Sequence, residues 1–109
     1  MINSLPVDTH EDDRRVLVEW VKDFSLRTCK VIILKKDTSI GNHYHKKKDE
    51  IFFLLQGKGE VELDGEREPL KLGDVVFAGK GTKHTFHLIE GSILLEAGTK
   101  PFDKSDDYK

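Results

Sequence analysis

Apolar positions along this chain come in short runs separated by glycine turns, a pattern that predicts strands rather than helices. Thr28 to Leu34 reads as a strand. Lys36 through Asn42 is polar and reads as a loop. Glu50 to Leu55 is almost continuously apolar, as expected for a strand covered on both faces. Gly57-Lys58-Gly59 breaks the run, and Glu60 to Leu63 alternates. Asp64-Gly65 is then a type I′ hairpin signal. Leu70-Lys71-Leu72 leads to a turn at Gly73-Asp74, followed by strands over Val75–Ala78, His84–Ile89 and Ser92–Ala97. Val16 to Phe24 fits a helical stripe, but its β-branched and aromatic content favours a strand. Residues 1–13 read as irregular, and the polar tail 99–109 as a segment that wraps or frays. Many short strands at regular spacing predict an all-β sandwich or barrel.

Composition narrows the setting. With 109 residues, a single domain over 1–109 is expected. A net charge of −2 gives no bulk electrostatic reason to bind nucleic acid. The run Lys46-Lys47-Lys48 reads as a solvated turn or as an attractor for an anionic substrate. Cys29 is the single cysteine, so no intramolecular disulfide forms, and it reads as a small buried apolar residue. Met1 to Pro6 has no basic region and no long apolar stretch. Neither a signal peptide nor a membrane span is expected, and a cytoplasmic location is the default.

Chemistry concentrates at His43, His45, Glu50 and His84. His43 and His45 share a strand face because the strand repeat is two residues. Glu50 follows His45 at an odd offset, so Lys46 to Asp49 must turn and reset the register. Beyond it, Glu50, Phe52 and Leu54 share one face, while Ile51, Phe53 and Leu55 share the other. In the later segment His84, Phe86 and Leu88 share a face and His87 points away. Three imidazoles and a carboxylate suit one divalent transition metal, and Fe, Mn, Ni, Co, Cu and Zn all accept that set. Phe52, Leu54, Phe86 and Leu88 would line an apolar pocket, with plain core packing as the alternative for each. Tyr44 should point outward, and Glu60 and Glu62 should face solvent. Gly57-Lys58-Gly59 is no phosphate loop, because no helix pattern follows it.

His43-x-His45, four residues, Glu50, six residues, Gly57 resembles the first motif of the cupin superfamily. Gly73, five residues, Gly79-x-Gly81, two residues, His84 resembles the second, and the 15 residues between Gly57 and Gly73 match the spacer of small cupins. The resemblance covers roughly residues 28–97. Asp37, Gly79 and Leu88 depart from the usual motif residues, though none is a ligand position. It implies a double-stranded β-helix, the jelly-roll barrel, with His43, His45, Glu50 and His84 holding one metal inside.

Open coordination positions would then admit a small oxygenated molecule, as in a dioxygenase or an isomerase. A non-catalytic small-molecule or metal-binding module is the alternative. Thr9 to Arg14, Leu17 to Glu19 and Gly41 to Lys46 are similar to cupins of polysaccharide and nucleotide-sugar biosynthesis. Their ketoisomerases are generally metal-independent, which is a third reading. Because the Ile51, Phe53 and Leu55 face needs cover from the second sheet or a partner subunit, a homodimer is expected.

Overall fold

The structure is a computed structural model that describes residues 8–22 and 24–109. Its strands are β1 (Asp8–Glu11), β2 (Val16–Glu19), β3 (Thr28–Ile33), β4 (Thr38–His43), β5 (Glu50–Gln56), β6 (Gly59–Leu63), β7 (Glu66–Leu70), β8 (Val75–Ala78), β9 (His84–Leu88) and β10 (Ile93–Gly98). A short 3-10 turn, Lys104–Asp106, follows.

Two four-stranded antiparallel sheets make the barrel, in the orders β3-β10-β5-β8 and β4-β9-β6-β7. Phe52, Leu54, Val76 and Leu94 from the first sheet meet Val61, Leu70, Phe86 and Leu88 from the second in one core cluster. This is the jelly-roll barrel anticipated from the motifs. Asp64 (φ 49°) and Gly65 (φ 84°) both adopt positive φ between β6 and β7, as a type I′ hairpin requires.

The fold differs from expectation at three places. Thr38 to Asn42, read as a loop, belongs to strand β4 at the edge of its sheet; only Ile40 packs toward the core, so its sequence is polar. Residues 8–11, read as irregular, form β1 and pair with β2, which settles Val16–Glu19 as strand. Residues 1–7 of that segment lie outside the described residues. Cys29 is exposed, not buried: it shares with Val31 and Ile33 the uncovered outer face of edge strand β3.

The face of β5 carrying Ile51 and Phe53 is covered from within the chain. Val18, Trp20, Val21, Leu26 and Leu95 pack on it, with Trp20 and Phe53 rings 5.5 Å apart. Only Leu55 on that face is left open. Cover for Ile51 and Phe53 thus comes from the chain itself, while Leu55 stays exposed, as Val31 and Ile33 do on β3. No helix among the described residues is long and apolar enough to cross a membrane.

Candidate metal centre

The pairing of β4 with β9 sets His43 directly opposite His84. A bulge between Gly41 and His43, with Gly41 at φ 95° and Asn42 at φ 60°, ends β4 there. His45 therefore lies beyond the strand, on the turn toward β5, rather than two places along a regular strand. Lys46–Asp49 reverses the chain, and Glu50 opens β5 in the opposite sheet. The register reset inferred from parity is this turn. The four side chains meet where the two sheets come together at one end of the barrel.

One donor atom from each of His43, His45, Glu50 and His84 lies within 4.8 Å of all the others. Glu50 Oε1 is 3.4 Å from both His45 Nε2 and His84 Nε2, is buried, and has no hydrogen-bond partner. Its other oxygen, Oε2, is 3.3 Å from Lys48 Nζ, and both side chains are about 3% exposed. Lys48 therefore belongs neither to a solvated turn nor to a substrate-attracting patch. It neutralises the back of the one carboxylate that faces the three imidazoles, while Lys46 and Lys47 stay exposed.

The far ring nitrogens are held by oxygens. His45 Nδ1 donates to the Asp106 carbonyl, and His84 Nδ1 lies 3.2 Å from the Thr82 carbonyl. His43 Nδ1 lies 3.0 Å from Asp107 Oδ1. A carbonyl only accepts, so the proton sits on Nδ1 of His45 and His84 and Nε2 offers its lone pair to the centre.

Electrostatics agree with a site built for a cation. Burial pushes Glu50 up to about 7, with the neighbouring Glu96 carboxylate as the second cause and Lys48 pulling the other way. Burial, and then the charge of His43, bring His84 down to about 4. His43 is lowered too, by burial and by His45. Without an ion the centre resists charge of either sign.

A cavity of about 180 Å³ opens beside these residues. Ile32, Ile40, Phe52 and Phe86 form its apolar wall, and His43, His84 and Glu96 its polar side. Leu54 and Leu88, expected as lining, sit deeper in the core, at 0% and 3% exposure. Each step of two along β5 and β9 leads away from the mouth and down the barrel.

Glu96 is the residue that sequence reasoning passed over. It faces Phe52 and Lys30 across the sheet, and Lys30 Nζ lies 3.3 Å from its Oε2. Its signal is a carboxylate at the same parity as Leu94 in an otherwise apolar strand. His87 lies outside the centre, 2.6 Å from Ser39 Oγ and 3.1 Å from Glu62 Oε1. Tyr44 stacks on Tyr108 and does not enter the centre. Glu60 is exposed and Glu62 half-buried.

Residues 30–97 match the family described as Cupin domain. The chain belongs to the cupin family. This cupin is 40% identical over 73 residues to an uncharacterized protein of Aquifex aeolicus, covering 66% of the chain and 60% of that protein. It is 32% identical over 85 residues to the pectin degradation protein KdgF of Dickeya dadantii, covering 76% of the chain and 74% of that protein. Among solved structures it superposes on WlaRA, a TDP-fucose-3,4-ketoisomerase from Campylobacter jejuni. The TM-score is 0.77 at 19% identity, over 92% of this chain and 82% of that one, a likeness of fold alone.

Proposed function

We propose that this cupin binds one divalent transition metal through His43, His45, Glu50 and His84 and acts there on a small oxygenated molecule. The observation that carries the reading is Glu50 Oε1, buried without a hydrogen bond between two Nε2 atoms. An unpaired buried carboxylate oxygen costs folding free energy unless a cation takes it. Three nitrogens and one oxygen leave coordination positions free. A bound ion would supply Lewis acidity toward a carbonyl or hydroxyl oxygen of a chelating ligand, or redox chemistry if it is iron or copper.

The chain's own residues bound the ligand. The cavity is smaller than the roughly 300–1,000 Å³ of drug-sized pockets, so it takes a compact molecule or one end of a larger one. Glu96, inside the mouth, accepts hydrogen bonds from hydroxyl groups, while the phenyl rings of Phe52 and Phe86 keep bulk water from the inner side. A hydroxy-carbonyl compound fits this wall with its hydroxyl turned toward Glu96. The likeness to a pectin degradation protein supports a sugar-derived substrate of that kind.

The test is elemental analysis of untagged protein purified without chelator or nickel resin. About one transition metal per chain is expected. Turnover of hydroxy-carbonyl compounds by the loaded protein then separates an enzyme from a binding module. A second reading, a metal-independent isomerase of nucleotide sugars, is favoured by the shared fold with the ketoisomerase structure. Folded protein that stays metal-free and refuses added ions would overturn the first reading and favour this one.

A further inference from the structure

The segment after β10 does not simply end the barrel; it runs back across the turn that carries two of the four proposed ligands. Asp103 starts this return. Its side chain accepts from Ser105 N at 3.0 Å and Ser105 Oγ at 2.7 Å, closing the 3-10 turn. The Asp106 carboxylate, 4% exposed, accepts from Lys46 N at 2.9 Å and Lys47 N at 3.1 Å. Its carbonyl accepts from His45 Nδ1. Asp107 Oδ1, buried and without a hydrogen bond, sits 3.0 Å from His43 Nδ1 as a charge contact. Tyr108 and Tyr44 then exchange both backbone hydrogen bonds, at 3.0 and 3.1 Å, and their rings stack 5.3 Å apart. Lys46 Nζ lies 4.4 Å from the Tyr108 ring centre.

We propose that Asp103–Tyr108 is a positioning strap: Asp106 and Asp107 fix the orientation and tautomer of His45 and His43, so that both present Nε2 to the metal. The inference rests on the metal reading above, and it assigns to this segment a role that the ligands alone do not reveal. His84 needs no such help, because its Nδ1 partner, Thr82, lies two residues away on its own loop. His45 stands on a turn beyond the strand, and His43 closes β4 opposite His84 just after a bulge, so neighbouring strand geometry fixes only part of their aim. The partners that aim them come from about sixty residues further along the chain. Tyr44, between the two histidines, is locked by the Tyr108 backbone bridge, which transmits the strap's position to both neighbours.

The test uses the full chain and Co2+ as the probe. Asp107→Ala and Asp106→Ala are each expected to weaken Co2+ binding roughly 10- to 100-fold and to change the Co2+ visible absorption. Asp107→Asn should restore most of the affinity, since its amide oxygen keeps an acceptor beside Nδ1. Lys104→Ala, exposed in the same turn, should bind as wild type does. Imidazole nitrogen NMR of the metal-free protein gives a second readout: the proton on Nδ1 of His43 and His45 in wild type, and a tautomer mixture at His43 in Asp107→Ala. Should Asp106→Ala fail to fold, Asp107→Ala, which leaves the anchors on Lys46 and Lys47 intact, carries the test. Affinities within about twofold of wild type in both alanine variants overturn the strap and leave the metal centre standing. A wild type that takes up no Co2+ overturns the metal reading, and the proton positions then decide the strap alone.

Discussion

At the scale of single residues, direction decides function. His84 and His87 stand three places apart on one strand, yet one meets Glu50 and the other meets Ser39 and Glu62 on the outer face. His84→Ala, like His45→Ala, is therefore expected to abolish stoichiometric metal, and His87→Ala to retain it, as read by elemental analysis. Equal loss in His84→Ala and His87→Ala would refute the strand parity. Proton competition sets the pH dependence. A ligand must be deprotonated to bind, and Glu50 at about 7 keeps its proton long after His84, at about 4, has lost its own. Metal affinity should rise as pH climbs through 7, with proton release measurable by calorimetry in two buffers. In the metal-free protein the same groups act oppositely on stability. Glu50, raised above 4.5, contributes stability that is full below 4.5 and lost as pH rises through about 7. His84, depressed below 6.5, contributes stability that is full above 6.5 and lost as pH falls through about 4. Between about 4.5 and 6.5 the Glu50 slope opposes that of His84, to which the lowered His43 adds, so urea midpoints there should rise only gently with pH in wild type. In Glu50→Gln only the histidine slope is left, and the midpoint should rise with pH. The cluster of His43, His45, Glu50 and His84 was legible from spacing, and the outward His87 and Tyr44 from parity. Lys48 and Asp107 were not, because a lysine in a charged run or an aspartate in a polar tail carries no local mark of the partner it will meet.

At the scale of elements, the centre depends on how closely β4 approaches β9. Gly41, at φ 95°, has room for no side chain: a Cβ there would lie 2.8 Å from the His84 carbonyl oxygen. Gly41→Ala is expected to cost about 2 kcal/mol and to lower Co2+ affinity, because relief of the clash moves His43 away from His84. Thermal melting and a Co2+ titration check both effects. The same strand shows why Thr38–Asn42 read as a loop. An edge strand with one face in solvent needs only one inward apolar residue, here Ile40, and its hydrogen-bonding partner lies more than forty residues on. β5, covered on both sides, announced itself through an unbroken apolar run.

At the scale of the whole molecule, the barrel is completed from both ends of the chain. Trp20 and its neighbours after β2 cover Ile51 and Phe53, and Asp103–Tyr108 closes over the histidine turn. Trp20→Ala should destabilise by about 2 kcal/mol, below the full cost of a buried aromatic because Trp20 is only half-buried, as measured by urea denaturation. If the midpoint stays put, the N-terminal segment is not part of the core. The sequence by itself determined the strand periods, the hairpin at Asp64-Gly65, the inward parity of Glu50 and His84, and through its motif spacing the family. Those features are local, written in alternation and in backbone conformations that only certain residues adopt. Tertiary structure alone decided that Lys48 is buried against Glu50, that Cys29 is exposed, and that Asp106 and Asp107 stand behind two histidines. Each of those depends on which distant segment arrives at a given face, and no periodicity along the chain encodes that arrival.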